Sequence, residues 1–218
     1  MHRYFVTGTD TDVGKTRVTA ALALALRRAG VQPMIVKLVQ TGLTAEEEGD
    51  AQRAAGLAQT SYRELARYQK AADPWSAALA QGATPLPALA FADTLDTIPG
   101  PLVAEGAGGL MTPLNGREQL GEVAVCAGLR AVVAVGLRLG CLNHALLTLE
   151  HCERLGLPVA AGVLVERWGA TDAAYRADVQ RVLGPKLPLL GVIPFAADEA
   201  ASVAAAAKLF ESLVKQER

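Results

Sequence analysis

The chain has 218 residues, enough for one large domain with a substantial core. Hydrophobic residues make up 51% and aromatics only 5%, the alanine-rich balance of helices packed on a sheet. The formal net charge of −1 gives no basis for nucleic acid or an anionic membrane as partner, and no apolar run is long enough to span a bilayer.

Tyr4-Phe5-Val6 reads as a buried strand, and because the sequence enters it directly no secretion signal is expected. A loop with glycines at 8 and 14 follows, then Lys15-Thr16 and a helix whose face carries Val18, Ala21, Leu22, Ala25, Leu26 and Ala29. Strand, glycine-containing loop, Gly-Lys-Thr and helix form the arrangement that holds a nucleotide's phosphates on backbone N–H groups at a helix start. Lys15 supplies a point charge to the outer phosphates and the Thr16 hydroxyl a ligand for Mg²⁺. The usual motif has four residues between its first glycine and Gly-Lys. Here Gly8 and Gly14 enclose five, with Thr9 at the usual glycine position.

Arg27-Arg28-Ala29-Gly30 ends the helix, and Met34 to Val39 is the second strand, turning at Gln40-Thr41-Gly42. Lys37 stands late in that apolar strand. Ligands of open parallel sheets bind beyond the carboxyl ends of strands, so Lys37 is expected at the same edge as the phosphate loop. The acidic run Glu46-Glu47-Glu48-Gly49-Asp50 enters a helix over Ala51 to Leu57, where acidic groups favour the N-terminus. Residues 60 to 100 read as a wall or lid of low strand content, with short helices after Asp73-Pro74-Trp75 and around Ala88 to Leu95.

Pro101 to Glu105 is an apolar strand ending in a carboxylate, followed by the turn Gly106-Ala107-Gly108-Gly109. A carboxylate at a strand end opposite a phosphate loop is suited to Mg²⁺ or its water shell. Arg117 to Ala127 reads as a helix and Ala131 to Gly136 as a buried strand. The next helix starts near Cys141. His144 and His151 fall off its apolar face and are expected at the surface or at an interface, while the free N–H groups of its start suit an anion such as a carboxylate. Strands over Val159 to Val165 and Leu189 to Ile193 and helices from Asp172 and around Val203 to Val214 complete the chain. Cys126, Cys141 and Cys152 lack zinc-type spacing and are expected as buried free thiols of a cytoplasmic protein. The alternation predicts an α/β fold of the P-loop NTPase kind: a mainly parallel central sheet, helices on both faces, and a single domain over 1–218.

The loop from Tyr4 to Thr16, the segment Glu105 to Gly109 and the block Leu139 to Thr148 together resemble the dethiobiotin synthetases, from Arg3 to about Ile193. The five-residue spacing between the glycines is that family's form. The resemblance implies an ATP-dependent ligase that joins CO₂ (or bicarbonate) to 7,8-diaminopelargonate through a carbamate and a mixed carbamic-phosphoric anhydride. It implies Lys37, Lys15 and Thr11 as catalytic residues and Thr16, Asp50 and Glu105 as Mg²⁺ positions. Nucleotide contacts are implied for Asp12, Val13, Gly14, Lys15, Thr16, Arg17, Asp50, Glu105, Gly106, Ala107, Gly108, Glu166, Arg167, Pro194, Phe195 and Ala196. Substrate contacts are implied for Thr11, Lys37, Thr41 and, from the partner subunit of a homodimer, for Gly140, Cys141, Leu142 and Asn143.

Three departures stand out. Leu38 replaces a proline after the strand-two lysine, Trp75-Ser76-Ala77-Ala78 replaces a Ser-Pro-His segment, and Glu166 replaces an adenine-contacting asparagine. An amide both donates and accepts; a carboxylate only accepts, so other nucleoside triphosphates are expected to substitute for ATP. Two rivals share parts of the pattern. Regulatory ATPases of the partitioning type carry a second lysine after the first loop glycine, where this chain has Thr9-Asp10. Other phosphate-loop ligases or kinases do not call for Lys37 and the Leu139–Thr148 block together.

Overall fold

The computed structural model describes residues 2–215. Seven strands form one all-parallel sheet: β1 (Arg3–Gly8), β2 (Met34–Thr41), β3 (Ser61–Tyr68), β4 (Leu102–Glu105), β5 (Arg130–Gly136), β6 (Val159–Val165) and β7 (Leu189–Ile193). Their spatial order is β3-β2-β4-β1-β5-β6-β7. The central strands are apolar on both faces, as a sheet covered twice requires: Tyr4, Phe5 and Val6 are all fully buried.

One face is covered by α1 (Lys15–Arg28), α2 (Asp50–Ala58), α8 (Glu199–Ala206), a 3₁₀ turn (Ala207–Phe210) and α9 (Glu211–Lys215). The other carries α3 (Pro74–Ala80), α4 (Ala88–Asp96), α5 (Leu120–Cys126), α6 (Cys141–Leu155) and α7 (Ala173–Leu183). Local chemistry sets several of these starts. Asp73 caps α3 by accepting from the Ser76 N–H at 2.9 Å, with Pro74 in the first turn; Asp172 caps α7 by accepting from the Tyr175 N–H at 3.0 Å.

Four expectations are corrected. Residues 60–100 contribute a full eight-residue strand, β3, at the sheet edge. Its exposed start and the charges of Arg63, Glu64 and Arg67 hide the apolar signature that marks the inner strands. The helix expected from Arg117 begins at Leu120, because residues 113–119 fold back into a bridge between Pro113 and Gln119. Cys126 is exposed, on the solvent side of the last turn of α5, whereas Cys141 and Cys152 are buried; all three are free. His151 is buried rather than at the surface, because α6 packs against α5 on that side.

Candidate active site

The site lies at the carboxyl edge of the sheet, over β1, β2 and β4. Their register sets the end of β4 level with positions late in β1 and midway along β2: Val6 pairs with Glu105, and Glu105 with Lys37. The loop from Gly8 to Gly14 leaves β1 with the Thr9 N–H still donating to Ala134 O at 3.0 Å, so the extra loop residue extends the strand. Gly14 then adopts φ +96° at the start of α1, a left-handed conformation that glycine takes without strain, and an added Cβ would meet Val165 at 2.7 Å. No side chain caps this helix and no acidic residue occupies its first turn. Its free N–H groups and dipole therefore face the cavity, the arrangement that receives an anion.

Lys15 is almost wholly buried, with its Nζ donating to Asp10 O at 2.9 Å. Burial first, and the neighbouring Lys37 second, lower its pKa to about 8. Lys37 is also buried, and its Nζ donates to Asp50 Oδ2 at 2.6 Å, Glu105 Oε1 at 2.8 Å and Gly106 O at 3.0 Å. Burial on its own would push this ammonium toward neutrality. Glu105 and Asp50 together outweigh it and hold the pKa above the ordinary lysine value. Burial likewise opposes the charge of Asp50, and Lys37 outweighs it, so Asp50 titrates below the usual carboxylate range. The Thr16 hydroxyl donates to Glu105 Oε1 at 3.1 Å, while Glu105 Oε2 is buried and without a partner. The Gln40 side chain receives the Asp50 N–H at 2.9 Å and fixes the start of α2.

A cavity of about 820 Å³ opens over these groups. Thr11, Lys15, Thr16, Lys37, Asp50 and Glu105 all line it, as do Thr41, Asp12, Gly14, Arg17, Ala107, Gly108 and Arg167. Other residues singled out from the sequence lie elsewhere. Val13 is in the core, and Gly106 contributes its carbonyl to Lys37 rather than a wall. Glu166 is buried, with Oε1 accepting from Thr171 N at 3.2 Å and Arg176 Nη1 at 2.9 Å and Oε2 accepting from Phe195 N at 3.2 Å. It joins the end of β6 to α7 and to the exposed Pro194-Phe195 segment. Gly140 to Asn143 form the uncapped start of α6, with Gly140 at φ +92°, and are not on the cavity wall.

A family described as an AAA domain matches residues 2–201. The ATP-dependent dethiobiotin synthetase of Saccharopolyspora erythraea is 41% identical over 207 residues, covering 90% of this chain and 89% of that protein. That of Chromohalobacter salexigens is 39% identical over 215 residues, covering 89% and 90%. The chain belongs to the ATP-dependent dethiobiotin synthetase family. It is an enzyme of that family on the P-loop NTPase fold. Among solved structures, the Pyrococcus furiosus cell division ATPase MinD superposes with a TM-score of 0.59 over 100% of this chain and 98% of that one. At 18% identity that likeness speaks for the fold alone.

Sequence reading missed three groups around the synthetase site. Arg53 on α2 and Glu199 at the start of α8 line the cavity and pair with each other, Arg53 Nε donating to Glu199 Oε2 at 2.9 Å. Arg138, beyond β5, reaches back to Asp10 of the phosphate loop. No motif marks them, because each pairing spans more than a hundred positions of sequence.

Proposed function

We propose that this chain forms dethiobiotin from 7,8-diaminopelargonate, CO₂ and ATP through a phosphorylated carbamate. Family membership supports the overall reaction. The observation that carries the chemistry is Lys37: a buried ammonium, fixed by two carboxylates and a carbonyl, on the wall of the same cavity as Lys15 and the open start of α1. One amine of the diamine adds to CO₂ and loses a proton, giving a carbamate. A carbamate oxygen takes the γ-phosphoryl group as ADP leaves. The second amine then attacks the carbamoyl carbon, the ring closes and phosphate departs. Such transfer needs positioning and charge neutralisation more than a covalent nucleophile. Lys15 meets the phosphate charge. Lys37 meets the carbamate and the transferring group. Thr11 and Thr41, both on the cavity wall, offer hydroxyls to the carbamate and diamine.

The donor set fits Mg²⁺: the Thr16 hydroxyl, Asp50 and Glu105 are hard oxygen ligands, and the buried Glu105 Oε2 has an unused acceptor. When bound, the ion supplies further charge neutralisation at the phosphates. The start of α6 is proposed to hold the far carboxylate of the diamine in the site of a second subunit, since it lies off the cavity of its own chain. The proposed setting is the cytoplasm, consistent with three free cysteines.

The test is phosphate release from MgATP, with and without 7,8-diaminopelargonate and bicarbonate, with mass detection of the product. Release requiring both additions, together with dethiobiotin, is expected. Turnover indifferent to the diamine would reject the reading in favour of a phosphate-loop ATPase.

A further inference from the structure

The phosphate loop carries a charge problem. It must receive a polyanion, yet Asp10 and Asp12 stand within it beside the single cation Lys15. Two arginines from outside the loop answer them. Arg138 Nη2 donates to Asp10 Oδ2, and Arg167 approaches Asp12 Oδ1 with Nε at 3.1 Å and Nη2 at 3.0 Å. The sheet delivers both at one level. Gly136 at the end of β5 pairs with Val165 at the end of β6, and each arginine follows its strand end by two positions. Asp10 and Asp12 are spaced by the same two positions.

The Arg138 contact is fixed from three sides. Its guanidinium lies over the Trp168 ring, 5.2 Å from the centroid. Its carbonyl accepts from the Tyr175 hydroxyl at 2.8 Å, so the strand-end loop is held independently of the side chain. Asp10 is fixed in turn: its Oδ1 accepts from Thr11 N at 2.7 Å and its carbonyl from Lys15 Nζ at 2.9 Å. A pull on the Asp10 carboxylate is thereby transmitted to the two residues that flank the phosphate site. Neutralisation is needed as well as shape: without Arg138, the Asp10 carboxylate would stand uncompensated beside Thr11 and Lys15, which line the cavity.

We infer that Arg138 is a positioning residue for nucleotide binding, acting through Asp10: it cancels the Asp10 charge and holds the loop in its receiving form, with Arg167 doing the same at Asp12. The inference rests on nucleotide binding at this loop. The pair is partly exposed, which limits its strength to that of a screened ion pair, so the expected effect is about threefold to fivefold in affinity.

The experiment is a calorimetric titration of MgADP into wild type, Arg138→Gln, Asp10→Asn and the double variant, with kcat and KM for ATP measured alongside. Arg138→Gln is expected to weaken MgADP and raise KM about threefold to fivefold while kcat changes less than twofold. Asp10→Asn is expected to bind at least as tightly as wild type, and the double variant to return to within about twofold of Asp10→Asn. Equal binding by wild type and Arg138→Gln would overturn the inference. So would a double variant as weak as Arg138→Gln, which would show Arg138 touching the nucleotide itself. Arg138→Lys, which keeps the charge, recovers at least half of any loss that is electrostatic; no recovery would also count against it. Wild type that binds no MgADP would instead remove the nucleotide reading on which the inference stands.

Discussion

Lys15 and Lys37 are the same residue type in one cavity, and their surroundings drive their pKa values apart. Lys37 has two carboxylates and stays charged; Lys15 has only a carbonyl within hydrogen-bond reach and titrates at about 8. A bound phosphate favours the cation, so nucleotide binding takes up a proton above that pH. MgADP affinity is therefore expected to be level below about pH 7 and to fall by up to about tenfold between pH 7 and 9, a dependence that Lys15→Met should remove. Lys37 serves the fold as well as the chemistry. Lys37→Ala is expected to lower ring closure more than a hundredfold. It also strands the buried Glu105 charge at a cost of about 3–5 kcal/mol. For a chain of this size that is a Tm loss of roughly 10 °C. Thermal melts of Lys37→Ala and Lys37→Ala/Glu105→Gln check this: the double variant should regain much of the loss while remaining inactive.

Among the elements, the phosphate loop, β2, β4 and the inner strands were legible because two-faced burial leaves continuous apolar runs and a helix start demands particular glycines. β3 was not. Only Leu65, Ala66 and Tyr68 near its end pack on the core, and its charges act on a neighbouring loop: Arg67 donates to Glu47 O at 3.0 Å and through Nε to Glu64 Oε2 at 2.8 Å, and it also holds Thr44 O. Arg67 thus braces the loop between Thr41 and Asp50, two residues on the cavity wall. Arg67→Ala is expected to raise KM for the diamine about threefold to tenfold with a smaller change for ATP, read from steady-state kinetics. Glu166 shows a second limit of sequence reading. Its position in a strand-end motif was visible, but its partners on α7 and at Phe195 were not. With those bonds made, little of the carboxylate remains to choose a base. CTP and GTP are expected to support turnover within about tenfold of ATP at saturation; a strict ATP requirement would refute this.

At the scale of the whole molecule, the proposed dimer has the substrate chain reaching from one subunit's cavity to the other's α6. Complementation tests that arrangement. Lys37→Ala and Asn143→Asp place their defects in different halves of one site only if the site is shared. Mixed and re-equilibrated, the two weak variants should form hybrids in which one site of two carries neither defect, restoring about a quarter of wild-type activity in an equal mixture. Absence of recovery in a mixture shown to exchange subunits would confine each site to one chain.

The position of β1 at the centre of the sheet has a consequence for biosynthesis. Both its neighbours are made late: Arg3 pairs with Leu102, and Tyr4 with Arg130. On the ribosome, the strand that leads into the phosphate loop emerges first and finds its second partner only after more than a hundred further residues. At about 5–20 residues per second that wait is roughly 5–25 s. Throughout it a sticky apolar segment is available to chaperones and to other nascent chains, and nothing that binds nucleotide can speed the early steps, because the pocket does not exist until the sheet has closed around its oldest strand.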